Sequence, residues 1–459
     1  MKTKLKITSG IVMALLLWTS CKKEDKFLNT KPDQALFIPS TLQDLNNLLH
    51  YENLFNTGDP SLGEIAADDY YVSDDALTGQ DIGFTEKSGY IWARDLYNVG
   101  ENINDWSLPY KQIYYANTVL DYLPKINASN NQLAEANRIK GSALFFRAIA
   151  FYNLLQTFAL PFNKSSSATA LGIPLRLTSD LNIKSTRSPI QVCYDQLISD
   201  LQQAFLLLPV SSKLKTEPSQ PAAMGLLARI YLAMGDFDKA YEFANKALGL
   251  FSELEDYNSL TPTTYSISTT FLKEDIFHSV QIGTAIISPN YVAVADSTLY
   301  TSYSNDDLRK SVCFILNDGL PYFIGTYDFN GYNYSGIATD ELYLIRAECS
   351  ARLGNSAAAL KDLNTLLITR WRTGTFTPIS ISANKDLLDR ILLERRKELL
   401  FRGLRWTDLR RLNQESRYAK TLIRNASGQI YQLAPNSPRY AMPIPDNEIA
   451  TSGIDQNIR

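Results

Sequence analysis

The chain has 459 residues, 45 lysines and arginines against 48 acids, and a formal net charge of −3. That length suffices for a large core, while an acidic balance without a basic block excludes the phosphate neutralisation on which nucleic-acid binding depends. Only His50 and His278 exist, and the four cysteines show no CxxC spacing, so neither a zinc site nor a disulfide framework is signalled and Cys193, Cys313 and Cys349 read as buried free thiols.

Lys2, Lys4 and Lys6 precede an apolar run over residues 11–18, then Thr19, Ser20 and Cys21. This order predicts a secretory signal over 1–20, too short to span a bilayer. A cysteine at the junction predicts a lipidated Cys21, with Trp18 where such signals usually carry Leu; an ordinary cleaved signal is the alternative. Residues 21–39 read as a lipidated N-terminus and polar tether, and 40–459 as one domain. A helix is predicted over 41–54, with Ser40 as N-cap and Leu42, Leu45, Leu48 and Leu49 on one face. Residues 59–101 are rich in Gly, Asp, Ser and Tyr without a sustained period and read as long loops. Helical patterning returns over 106–123 and 132–158, where Ala143, Phe146, Ala150 and Leu154 recur at helical spacing. A loop over 161–188 leads to a helix over 191–208, ended by Pro209, and then to a helical pair over 220–250. Residues 252–335 are rich in Ser, Thr, Tyr and Gly, with short strand candidates such as 275–282. Helices follow over 339–370, 384–401 and 406–412, and the proline-rich end from 413 reads as loop.

Two helical pairs share a pattern. In the first, Ala228, Tyr231, Gly235, Ala240, Ala244 and Ala247 stand at tetratricopeptide spacing, where small residues let two antiparallel helices approach and glycine opens the turn. Ala347, Ser350, Gly354, Ala359, Leu363 and Leu366 repeat it in register. The two glycines lie 119 residues apart, against a tandem period of about 34. The predicted fold is therefore all-α: a tetratricopeptide-like helix-pair scaffold (roughly 40–58, 102–160, 190–250 and 339–412) with a few short strands. Long loop insertions over roughly 59–101 and 252–335 would carry the ligand face, since loops of that length in a compact protein are usually functional.

The segment from Glu394 to Leu412, ERRKELLFRGLRWTDLRRL, resembles the hallmark of the SusD/RagB family of outer-membrane nutrient-binding lipoproteins. Trp106-x3-Tyr110-x2-Ile113-x2-Ala116-Asn117, Lys140-Gly-Ser-Ala143, Asp340 to Glu348, and Tyr440-x-Met-Pro-Ile-Pro445 resemble further family segments in the same order. The resemblance implies capture of an oligosaccharide, or in some members a peptide, on an exposed face. It also implies a SusC-type TonB-dependent transporter as partner, with this protein as its lid, held at the outer membrane by the Cys21 lipid. No cofactor or metal is called for, and no bond is broken. Glu394, Glu398 and Arg402 lie four apart and read as a scaffold ion-pair network rather than an acid/base pair.

A sugar's apolar face stacks on an aromatic ring while polar neighbours take its hydroxyls. Trp92 is the one tryptophan of the mature chain in an aperiodic stretch, and it leads the list of ligand-binding candidates. With it stand Tyr90, Arg94, Tyr71, Tyr291, Tyr322 and Tyr327; each also reads as core or ordinary surface. The acidic run Asp68, Asp69, Asp74 and Asp75 offers acceptors, with a solvated loop as its default. Thr326-x-Asp328-x-Asn330-Gly331 lacks the first acid and the closing Glu of a calcium loop, which rejects that assignment. No G-x-S-x-G, H-E-x-x-H or P-loop occurs. A surface hydrolase and a helical adaptor without a small ligand are the rival readings.

Overall fold

The computed structural model describes residues 38–289 and 292–459. The signal, Cys21 and most of the tether lie outside the described residues, as does Tyr291. Within them the chain is a helical scaffold with short strands, and no helix there is long and apolar enough to cross a membrane.

The first scaffold helix, Leu42–Leu49, starts at a capping box. Thr41 Oγ accepts the Asp44 amide at 3.1 Å, and the Asp44 carboxylate accepts the Thr41 amide at 3.0 Å. Thr41, not Ser40, is therefore the N-cap; Ser40 bonds the same carboxylate from outside. Helices Asn104–Tyr122, Leu133–Phe158 and Ile190–Leu207 pack in succession. A buried triad fastens them: Arg147 donates to both oxygens of Asp200, at 2.8 and 2.7 Å, and to Asn117 Oδ1 at 2.9 Å.

The two tetratricopeptide-like pairs are Gln220–Met234 with Phe237–Leu250, and Thr339–Arg352 with Ser356–Leu367. Ala228, Ala240, Ala244, Ala247, Ala347 and Ala359 are fully buried, which is why small residues occupy those places. Gly235 and Gly354 take the left-handed conformation, with φ of +73° and +83°, that turns each pair. Though far apart in sequence, the pairs are neighbours: Phe237–Leu250 packs on Thr339–Arg352, and everything between is looped out of the stack. Strand pairing of Asp275 with Ala338 and Phe277 with Ile337 closes the base of that insertion. Arg229 donates to Glu341 at 2.9 and 2.6 Å across the join.

Further readings need correction. Residues 59–101 are not simply loop, since they form three short helices, Leu62–Ala66, Asp74–Thr78 and Phe84–Tyr90, and the strand Tyr70–Tyr71. Strands Leu422–Ala426 and Gln429–Leu433 form a hairpin where loop was expected. Helix Asn384–Glu398 ends before Arg402, which pairs with Asp340 at 2.5 Å rather than with Glu398.

The ion-pair network around the 394–412 hallmark is real, and it joins partners on the same helix to Arg309 and Arg370 from other parts of the chain. Glu394 meets Arg309 at 2.6 Å and Arg390 at 2.8 Å. Glu398 meets Arg309 at 2.8 Å and Arg370 at 2.7 Å. Asp68 and Asp69 are not a solvated loop: both are largely buried, on Arg405 and Arg396, each at 2.7 Å. Burial pushes the Asp68 carboxyl up, but Arg405, Arg396 and Lys420 overrule it and hold it well below the usual range. The three cysteines are free and buried.

Candidate functional site

A groove of about 490 Å3 lies between the Glu52–Phe55 helix and the insertion. Its floor is stitched to that helix. Asn56 Nδ2 donates to the carbonyls of His278 at 2.8 Å and Thr216 at 3.1 Å, and the Val280 amide donates back to Asn56 O at 2.8 Å. One wall carries Glu52, Asn53 and Thr57; the other carries Phe271, Phe329, Asn330 and Tyr332.

The aromatic wall is a rigid turn built around Asp328. Its carboxylate accepts the amides of Asn330 at 2.9 Å and Tyr332 at 3.0 Å, and Gly331 reverses the chain at φ +82°. Thr326 Oγ accepts the Tyr334 amide at 3.1 Å and donates to the Tyr332 carbonyl. Asp328 also faces His278 Nε2 at 3.4 Å, and Asp275 takes His278 Nδ1 at 2.7 Å. Burial would push the imidazole pKa down; the two carboxylates overrule it and hold it up, at about 9. The Asp328 carboxylate is thus spent on backbone amides and an imidazolium, so this loop is a structural turn.

Phe271, Phe329 and Tyr332 rise from this frame 40%, 41% and 47% exposed, unusual for rings held so firmly. Phe271 lies edge-on to His278, with centroids 4.8 Å apart, and to Phe329 at 5.3 Å. Tyr332 lies over Gly283, where an added Cβ would come within 3.2 Å of its ring. Asn53 and Asn330 are exposed, and their side-chain amides bond no described residue. Flat apolar faces beside open amide, hydroxyl and carboxylate groups suit a ligand with apolar faces and hydroxyl edges.

The residues singled out by sequence fall in several places. Trp92 is buried, its indole N–H bonded to Ala66 O at 2.9 Å, so it presents no stacking face. Tyr90 is buried as well. Both rings are occupied by the Arg424 guanidinium, 3.8 Å from Tyr90 and 4.8 Å from Trp92, which also donates to the carbonyls of Tyr90 and Ala67. Tyr327 is core: its hydroxyl bonds Glu274 and, at 3.0 Å, Asp340, while Arg402 lies 4.6 Å from its ring. Arg94 is exposed in a separate cleft beside Tyr97 and Arg459.

Tyr71 and Tyr322 do come together. Strands Tyr70–Tyr71, Val294–Ala295, Leu320–Phe323 and Phe314–Asn317 form a sheet in that order, and Val294 is the register partner of both tyrosines. They therefore share the outward face two strands apart, roughly 10 Å. Elsewhere Glu274, Asp340 and Glu398 bring carboxylate oxygens within 4.8 Å of one another, but Arg370 bonds Glu274 and Glu398 while Arg402 bonds Asp340, so their charge is already met.

The groove aromatics were absent from the sequence shortlist. The signal nearest to them is Asp328-x-Asn330-Gly331, a turn motif between Tyr327 and Tyr332 that shows where the chain reverses and not which ring faces out.

Two family models match this chain: one described as starch-binding, associating with outer membrane, over residues 26–232, and one described as the SusD family, over 328–458. A SusD-like protein P2 from Formosa agariphila is 25% identical over 372 residues, 67% of this chain and 71% of its own. Among solved structures, a SusD superfamily protein from Bacteroides thetaiotaomicron superposes with a TM-score of 0.74 at 25% identity, over 91% of this chain and 100% of that one. A SusD-like carbohydrate binding protein from Bacteroides vulgatus gives 0.68 at 21%, covering 90% and 97% of the two chains. Surface glycan-binding protein A from Bacteroides uniformis gives 0.67 at 16%, covering 91% and 99%. The last two likenesses concern the fold.

Proposed function

The chain belongs to the SusD/RagB family, and we propose that it captures a glycan in the groove between the Glu52–Phe55 helix and the 326–332 turn. One observation carries this reading: three exposed rings, Phe271, Phe329 and Tyr332, surround a cleft whose Asn53 and Asn330 side-chain amides bond no other described residue. The match over residues 26–232 to the family model described as starch-binding, associating with outer membrane, supports it. The reading involves no chemistry on the ligand. Glu394 and Glu398, once the acid/base alternative, are buried in ion pairs.

Titration of the purified protein with a panel of oligosaccharides tests this. Phe329→Ala and Tyr332→Ala are each expected to weaken binding by about tenfold, the scale of one lost ring contact, with the melting temperature held within a few degrees. Binding that persists unchanged in both variants would remove the groove from the proposal.

The outward pair Tyr71 and Tyr322 is the second contact surface proposed, on the strength of their shared register partner Val294. We further propose the wider role implied by the family: a lipid on Cys21 tethers the protein to the outer membrane, and the bundle covers a SusC-type TonB-dependent transporter. Labelling with radioactive palmitate tests the first part and copurification with such a barrel the second. An unlabelled protein contradicts the anchor, and recovery without any barrel under mild detergent contradicts the lid.

A further inference from the structure

We propose that the groove selects neutral glycans and rejects those bearing uronate or sulfate groups, an inference that rests on the glycan reading above. No lysine or arginine stands among the described residues that line it. Its charged groups are Glu52, Asp328 and His278. The cation is unavailable to a ligand: His278 is buried, and its two ring nitrogens face Asp275 at 2.7 Å and Asp328 at 3.4 Å. Two lysines lie close in sequence to lining residues, one bonded within the protein and the other exposed beside a carboxylate of its own. Lys215 Nζ donates to the Asp275 carbonyl at 2.5 Å, and Lys273 lies 3.7 Å from Glu255. What faces the ligand is the exposed carboxylate of Glu52, which accepts the Thr216 hydroxyl at 2.8 Å, beside the amides of Asn53 and Asn330.

An anionic sugar entering this groove gives up hydration without meeting a counter-charge and approaches Glu52 besides. A neutral sugar finds amide donors and acceptors and carboxylate acceptors for its hydroxyls, and rings for its faces. The same protein builds a very different surface elsewhere. A second open cleft, also of about 490 Å3, is lined by Arg396, Arg405, Arg417 and Lys420. Those cations are paired, Arg396 with Asp69 at 2.7 Å, Arg405 and Lys420 with Asp68 at 2.7 and 2.6 Å, and Arg417 with Asp389, whereas no lysine or arginine lines the groove at all.

The test is calorimetric titration of the whole protein with hexasaccharides of matched length: maltohexaose, cellohexaose, xylohexaose and mannohexaose against hexagalacturonate and a sulfated κ-carrageenan hexasaccharide. At least one neutral chain is expected to bind about tenfold or more tightly than either anionic one, and Tyr332→Ala is expected to abolish that difference. Glu52→Lys is expected to gain about tenfold for hexagalacturonate without gaining for the neutral ligand, and Glu52→Gln to fall between. Binding of an anionic chain as tight as that of every neutral one, and weakened by Tyr332→Ala, overturns the selectivity and leaves the groove reading standing. Binding of every neutral chain unaffected by Tyr332→Ala overturns both. Failure of every hexasaccharide to bind overturns the glycan reading and this inference with it.

Discussion

His278 carries the stability of the aromatic wall, because its proton lets one imidazolium hold Asp275 and Asp328 together. Its pKa is raised from an ordinary 6.5 to about 9 in the folded protein. A folded value above the unfolded one stabilises the fold fully below about 6.5, and that contribution is lost as pH rises through about 9. The melting temperature is therefore expected to fall between pH 6.5 and 9.5, and His278→Gln to start lower and flatten that slope. An unchanged slope in the variant contradicts the assignment. The same scale shows what sequence hides. Tyr327 and Tyr332 stand five residues apart in one aperiodic loop, yet one is in the core and the other is nearly half exposed. Spacing does not separate them; the hydrogen bonds of Asp328 and the network around Tyr327 do. Trp92 was legible as a non-scaffold aromatic, but the buried Arg424 from a distant hairpin claims its ring.

The scaffold helices were legible because their apolar and small residues recur at helical spacing, and their ends moved by only a few residues. The Leu422–Ala426 strand was not, although its burial alternates residue by residue. Its inward central residue is Arg424, so the apolar alternation that announces a strand is interrupted by a charge. The Ser427-Gly428 turn, with φ of +51° and +75°, was the remaining signal. The helix-pair turns offer a direct check. Gly235 and Gly354 meet no atom within 4 Å of an added Cβ, so alanine there is sterically free and only its left-handed backbone is strained. Gly235→Ala and Gly354→Ala are each expected to cost about 1 kcal/mol in urea unfolding, without altering ligand affinity. A neutral result would mean that the turn relaxes.

Among the described residues the tetratricopeptide-like pairs are parted in sequence by the 252–335 insertion, and that insertion carries the aromatic wall of the groove. Arg370 is one of the ties between insertion and scaffold: fully buried, it bonds Glu274 of the insertion at 2.9 and 2.8 Å and Glu398 of the hallmark helix at 2.7 Å. Removing one member of a buried pair leaves charge uncompensated and costs roughly 3–5 kcal/mol. Arg370→Met is accordingly expected to lower stability by about that amount in denaturant titration, and to loosen the 252–335 segment first under limited proteolysis; a neutral effect contradicts the tie. Family-wide resemblance made the scaffold and its split legible, since it lies in the helices. The ligand face was legible only as a region, because its rings are placed by contacts between segments remote in the chain. The most direct measurement is a crystal structure of the protein soaked with the oligosaccharide that titration selects. The expected density shows a sugar ring against Tyr332 or Phe329 with its hydroxyls on Asn53 or Asn330. A sugar ordered elsewhere on the surface, with that groove empty, contradicts the proposal.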